Sequence, residues 1–194
     1  MKCSAIILAA GASSRMGSPK ALLDMRGEPV LQRLLRVYAR HCAEVIVVVG
    51  DHGEQIRAAV PGWYVVNPSP ERGQVSSLQC GLRALREDLP VMFQPVDYAA
   101  ISGSTLSALL TAMERERPLI AIPRYAGKHG HPVMAGAALR SEFLALGDQA
   151  TARDVIHAHR GETLYVDVND PEILRDIDSP EDYRRMLDGL ETVQ

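Results

Sequence analysis

Ser4-Ala5-Ile6-Ile7-Leu8-Ala9-Ala10-Gly11-Ala12-Ser13-Ser14-Arg15-Met16-Gly17-Ser18-Pro19-Lys20 is the stretch whose reading decides the fold. After Ser4 the residues 5–10 are continuously apolar, the pattern of a buried strand. The strand then runs into a polar loop that holds Gly11 and Gly17, several serines, Arg15 and Lys20. Downstream the chain alternates in the same way. Leu31, Leu34, Leu35 and Tyr38 recur at helical spacing over 30–38, and the β-branched run 45–49 predicts a second buried strand. A short helix over 56–60 and a third strand over 64–66 follow. Asn67-Pro68-Ser69-Pro70-Glu71-Arg72-Gly73 is a loop by its proline and glycine content, and Leu78, Leu82 and Leu85 share the face of the next helix. A fourth strand is expected over 90–93. A helix over 105–113 with Ser104 near its cap comes next, then a fifth strand over 119–122 closed by Pro123.

Repeated strand–helix–strand units require a mainly parallel sheet with helices on both faces. The fold expected is therefore α/β: a three-layer α/β/α, Rossmann-like, mainly parallel (mixed) sheet in one domain spanning 1–194, with two small domains as the alternative. Ligands of such sheets sit at the carboxyl ends of the strands. The loops 10–20, 67–75, 95–102 and 123–132 should then line one crevice. The second half is less legible. It predicts strands over 133–135, 164–166 and 174–177 and helices over 138–146 and 152–158. A last helix over 180–190 has Ser179 as its N-cap and Glu181 and Asp182 in its first turn, where the dipole favours them.

Composition narrows the function. The 194 residues carry 21 Lys plus Arg against 24 Asp plus Glu, a net charge of −3, without the basic excess of a nucleic-acid binder. Apolar residues at 46% and charged residues at 23% describe a globular chain, not a disordered one. Cys3, Cys42 and Cys80 are too few and too far apart for a disulfide framework or a zinc motif, so reduced thiols in a cytoplasmic protein are expected. The apolar run 5–10 is too short for a signal-peptide core, and no run reaches the roughly 18 apolar residues of a membrane span. No membrane partner is expected.

A glycine-bearing turn after a strand presents backbone N–H groups to anions. Gly11 and Gly17 let backbone approach phosphate oxygens, and Arg15 and Lys20 offset their charge. The plain alternative is a solvated strand-to-helix turn. Five residues separate Gly11 from Gly17 and the lysine comes three later, so this is not a Walker A loop. Nor is it the Gly-x-Gly-x-x-Gly of dinucleotide binding, which disfavours an NAD-dependent oxidoreductase. Asp97, just past the fourth strand, would point a carboxylate into the crevice.

Leu8-Ala9-Ala10-Gly11-x-Ser13-x-Arg15-Met16-Gly17-x-Pro19-Lys20 resembles the signature of the MobA-like nucleotidyltransferases at every fixed position. Three further blocks resemble the same family in order. They are Asn67-Pro68 with Gly73, Ser76, Ser77-Leu78 and Gly81; Gly127 with Gly130-His131-Pro132-Val133; and Asp176-Ile177-Asp178-Ser179-Pro180-Glu181-Asp182-Tyr183. The resemblance implies a nucleotide-diphospho-sugar transferase type of fold and transfer of a nucleotidyl group with release of pyrophosphate. By it Arg15, Lys20 and Asp97 are catalytic, and Asp97 and Asp178 hold Mg²⁺. Leu8, Ala9, Ala10, Gly11, Ser14, Arg15, Gly17, Lys20, Asn67, Gly73 and Ser77 bind the nucleotide. Ala-Ala-Gly at 9–11 is similar to the members that take CTP, whereas Ala-Gly-Gly goes with GTP, the alternative donor. The acceptor implied is a phosphate-bearing one, the molybdenum cofactor (molybdopterin), as in the family's molybdenum cofactor cytidylyltransferases. A molybdoenzyme or its chaperone would then be a receiving partner.

The chain also departs from the family pattern. Asp97-Tyr98-Ala99 stands where the family has Asp-x-Pro, with Pro95 before the aspartate instead. The stretch 147–153 is one residue longer than Gly-Asp-x-Gly-Ala-Arg and lacks its inner glycine, which leaves an acceptor contact by Asp148 or Arg153 open. Asp178 has a rival ligand in Asp176 and an alternative role as a helix cap. His131 is read either as a substrate contact or loop-positioning group or as a hydrogen-bonded structural residue, and Arg72 as a surface charge or an acceptor contact. Two other functions compete: a cytidylyltransferase for a sugar or isoprenoid phosphate, and a nucleotide-binding module without turnover.

Overall fold

The computed structural model describes residues 1–13 and 16–191. One eight-stranded sheet runs through it. In chain order the elements are β1 (Ser4–Ala9), α1 (Val30–Tyr38), β2 (Glu44–Val49), α2 (Gly53–Ala59), β3 (Trp63–Val66), α3 (Gln74–Ala84), β4 (Val91–Pro95) and α4 (Gly103–Glu116). Then come β5 (Ile120–Tyr125), β6 (Lys128–His129), β7 (Val133–Ala135), α5 (Arg140–Ala145), α6 (Ala152–Ala158), β8 (Thr163–Asp167) and α7 (Pro180–Glu191). The strands are ordered β3-β2-β1-β4-β7-β5-β6, and β8 pairs with β5. β1 lies parallel between β2 and β4, with Ile6 opposite Ile46 and Phe93. β7 is antiparallel to both of its neighbours, so the sheet is mixed but mostly parallel, as expected.

Alternate residues of β1 serve opposite faces, as a strand's twofold period demands. Ala5, Ile7 and Ala9 pack with Leu31 and Leu34 of α1 and Leu106 and Leu109 of α4. Ile6 and Leu8 pack with Leu78 and Leu82 of α3 and Phe143 of α5. Gly81 lets α3 lie directly on the sheet, because a Cβ there would stand 2.6 Å from Ile6 Cγ2. No helix among the described residues is long and apolar enough to cross a membrane.

Several local expectations are corrected. The cap of α4 is Ser102, whose hydroxyl accepts from Thr105 N, and not Ser104. β5 runs through Pro123 to Tyr125, and the Pro123 carbonyl still accepts from Gly130 N at 3.0 Å. Residues 174–177 are no strand: a 3₁₀ turn over Pro171–Leu174 leads into a segment anchored by buried Ile173 and Ile177. The helix expected over 138–146 begins as a 3₁₀ turn, Ala137–Leu139, and becomes α-helical only at Arg140. The β5–β6 hairpin and the reversal at β7 were not foreseen, because such short strands carry too few residues to show a period.

Candidate active site

A crevice of about 380 Å³ opens at the carboxyl ends of β1 and β4. Of the residues expected to bind nucleotide, Leu8, Ala9, Ala10, Gly11, Lys20, Gly73 and Ser77 line it, together with Asp97 and Asp178. Ser14 and Arg15 lie outside the described residues. Gly17 adopts a left-handed backbone (φ 69°) and does not line the crevice, nor does Asn67. Asn67 is buried, and its amide donates to Ser76 Oγ at 2.8 Å and Ser77 Oγ at 3.0 Å while its Oδ1 accepts from Ser69 N. It shapes the 67–77 loop, and its side chain does not face the crevice. No residue of the loop 123–132 is among those lining the crevice, and His131 lines a neighbouring cavity of about 260 Å³.

The β1 loop is drawn tight by Lys20 N donating to Ser13 Oγ at 3.2 Å. Gly50, at the end of β2, was not singled out from sequence, yet the loop needs it: a Cβ would lie 2.7 Å from the Ala10 carbonyl. Among the described residues, a Cβ built on Gly11 would meet no atom within 4 Å. The space beside Gly11 is therefore open on the crevice side, as close approach of a ligand to backbone requires.

Three charges converge in the crevice from positions 77 and 158 residues apart. Lys20 Nζ lies 3.2 Å from Asp97 Oδ2 and 2.6 Å from Asp178 Oδ1. Asp97 stands on the turn after β4, where Val96 N continues the ladder to the Leu8 carbonyl. The missing proline of the Asp97-Tyr98-Ala99 turn does not leave it loose. Fully buried Gln94 donates to the Tyr98 carbonyl at 3.0 Å and accepts from Tyr38. Arg33 donates to the carbonyls of Ala99, Ala100 and Ile101. Neither residue carries a sequence signal, since each looks like an ordinary strand or helix position. The 173–178 segment is tied to the same turn by Ile177 N donating to the Asp97 carbonyl at 3.1 Å. Capping of α7 falls to Ser179 and Asp182, and the Asp178 carboxylate faces Lys20. Asp176 is exposed and reaches Asp97 only through its field.

Burial pushes the Asp97 carboxyl above the usual carboxylate range, and Lys20 pulls it back only in part. Burial works against the Lys20 ammonium too, but Asp178 and Asp97 outweigh it and hold Lys20 above the ordinary lysine value. Tyr98 is pushed up to about 12 by burial and then by Asp176 and Asp97, so it stays a neutral phenol.

Among the described residues, Asp97 Oδ1 is buried with no hydrogen-bond partner. A buried acceptor of that kind costs free energy unless something occupies it. Among the described residues no three His, Cys, Asp or Glu side chains cluster to hold a metal, so the donor set is the pair Asp97 and Asp178. That pair fits a divalent cation such as Mg²⁺, which takes one or two protein carboxylates and completes its shell with substrate oxygens and water.

The family model for the MobA-like NTP transferase domain matches residues 5–163. The chain belongs to the MobA-like NTP transferase family. It is a nucleotidyltransferase, and its family uses divalent metals. The molybdenum cofactor cytidylyltransferase of Escherichia coli is 21% identical over 182 residues, 92% of each chain. A probable molybdenum cofactor guanylyltransferase of Nostoc sp. is 27% identical over 186 residues, 92% of this chain and 87% of that one. Among solved structures, Rv0371c of Mycobacterium tuberculosis superposes with a TM-score of 0.84 at 26% identity, covering 97% of this chain and 98% of that one. A complex of Rv0371c with manganese superposes at 0.77, with 25% identity over 97% of this chain and 99% of that one. The matched family thus contains transferases that use either nucleotide.

Proposed function

We propose that this member transfers CMP from CTP to a phosphate of the molybdenum cofactor, releasing pyrophosphate, with Mg²⁺ as the divalent ion. The observation that carries the reading is the convergence of Lys20, Asp97 and Asp178 beside the open Gly11 backbone. A charge-dense corner next to exposed N–H groups suits a polyphosphate and little else. Ala10 supports CTP: it lines the crevice just past β1, where the GTP-using pattern has glycine. In the reaction an acceptor phosphate oxygen attacks the α-phosphorus. The new P–O bond forms as the bridging α–β bond breaks, and pyrophosphate leaves with that electron pair. Asp97 and Asp178 would hold Mg²⁺, which when bound supplies Lewis-acid charge at the α-phosphate. Arg15 and Lys20 balance charge on the tail, the 8–13 backbone orients it, and the Gly73–Ser77 side closes over the nucleoside. No covalent enzyme intermediate is involved. The test is a product assay by mass spectrometry with Mg²⁺, either CTP or GTP, and molybdenum cofactor or a sugar or isoprenoid phosphate. The expected product is the cytosine dinucleotide form of the cofactor. Preferential use of GTP would overturn the donor, and turnover only with another acceptor would overturn the acceptor.

A further inference from the structure

The cavity beside the crevice has an unusual distribution of charge. Val75, Leu78 and Phe93 give it an apolar floor. Leu8, Gly73, Gln74 and Pro95 line both it and the crevice, so the two are contiguous. Arg72 is the one permanently charged cation among the described residues lining it. His131 also lines it, but burial first and the charge of Arg153 second lower its pKa to about 4, so it is neutral at pH 7. Lys20, across the shared wall, already has its charge matched by Asp97 and Asp178.

Arg72 ends the 3₁₀ turn Pro70–Arg72, and Gly73 follows with φ 87° before α3 begins. Its Nε lies 3.0 Å from Asp148 Oδ1, and its Nη2 contacts the same oxygen. Asp148 belongs to a loop whose base is pinned, since Gln79 Nε2 donates to the carbonyls of Phe143, Leu144 and Leu146. Both side chains of the ion pair are about half exposed, 49% and 57%. Exposed pairs of this kind contribute little to stability and are easily exchanged. A guanidinium is shaped to take two oxygens of a phosphate in place of one carboxylate oxygen.

We propose that Arg72 is the specificity-determining cation of the acceptor side: it leaves Asp148 to hold the acceptor's phosphate, while the apolar floor takes a flat, uncharged body. Asp148 is its placeholder, keeping the guanidinium at the cavity rim when no acceptor is bound. The assignment rests on the nucleotidyltransfer reading above and deepens it, since an anionic nucleophile brought up to a triphosphate needs a local countercharge.

The experiment compares Arg72→Ala, Arg72→Lys and Asp148→Asn with wild type in two measurements. The first is kinetics with CTP and molybdenum cofactor. The second is calorimetric titration of phenyl phosphate into protein saturated with α,β-methylene-CTP. For Arg72→Ala the acceptor KM and the phenyl phosphate Kd should rise about 10- to 100-fold, the loss expected for a charge-assisted hydrogen-bonded contact, with the KM for CTP within about twofold. Arg72→Lys should recover part of the loss. Asp148→Asn should lower both acceptor constants or leave them level. A structural tie between two loops would instead make Arg72→Ala and Asp148→Asn weaken acceptor binding together, and that result overturns the proposal. So does an Arg72→Ala protein that binds phenyl phosphate as wild type does. Failure to bind either α,β-methylene-CTP or α,β-methylene-GTP would sink the reading above and this assignment with it. Intact nucleotide binding with an unchanged Arg72→Ala protein sinks the assignment alone.

Discussion

The crevice at the ends of β1 and β4 and the cavity next to it share a wall but are built on different physics. In the crevice the charges are fixed in advance. Lys20 is locked between two carboxylates, and the turn that carries Asp97 is fastened by Gln94 and Arg33 from opposite sides. In the cavity the floor is apolar, the histidine is neutral and the half-exposed Arg72–Asp148 ion pair spans the rim. The contrast shows how labour is divided in a transferase. The polyphosphate side must be preorganised, since that is where charge shifts during reaction. On the assignment proposed above, the acceptor side binds a body and exchanges one partner for another.

Asp97→Asn should break the crevice most sharply, lowering kcat by about 10²- to 10³-fold, the scale of losing a metal-holding carboxylate. Its stability should not fall with it. The folded pKa of Asp97 lies above its ordinary value of 3.8, so its contribution to stability is present below that value and is lost as pH rises through the folded pKa. At neutral pH the buried charge is a burden that Asn removes. A Tm at pH 7 equal to or above wild type is expected, and a marked fall would show that the Lys20 pairing dominates.

Gly130→Ala should loosen the link between the two regions. A Cβ there would lie 2.1 Å from the Ile173 carbonyl oxygen, at the start of the segment that carries Asp178. Urea titration should show a loss of about 2–4 kcal/mol, as backbone overlap that cannot relax commonly causes.

His131 should make the cavity side, and not the crevice, sensitive to mild acid. Its pKa is lowered to about 4 from 6.5, so its contribution is complete above pH 6.5 and is lost as pH falls toward 4. Unfolding free energies measured across that window should drop by up to about 3 kcal/mol, and the His131→Asn protein should show a flatter profile. An unchanged profile would mean that the ring is protonated in the folded state.

Ser102→Ala is the smallest effect. Ser102 caps α4 and donates to Asp170 at 2.8 Å, and it lines neither cavity. A loss of about 1 kcal/mol is expected, with the KM values of both substrates unchanged.

Much of this molecule could be read in advance wherever one residue's role is enforced by its neighbours in sequence. β1, α1 and the glycine loop were legible because an apolar run, a helical spacing and a turn each leave a local trace. Asp97 was legible because it follows a strand in a sheet whose ligand edge is known. Arg33, Gln94 and Gly50 were not. What they do depends on carbonyl groups far away in the chain, and nothing beside them in sequence marks it.

The amino-acid order by itself determined the alternation of strand and helix and the glycine-bearing, cationic loop after β1, since both follow from short-range periodicity and side-chain chemistry; the pairing of Asp97 with Asp178 as holders of a cation was implied by the family resemblance. Tertiary structure alone decided that Lys20 sits between Asp97 and Asp178, that β7 runs against its neighbours and that Arg72 meets Asp148 across a second cavity. Those pairings join residues up to 158 positions apart, and only the packing of the sheet and its helices brings such distant groups within bonding reach.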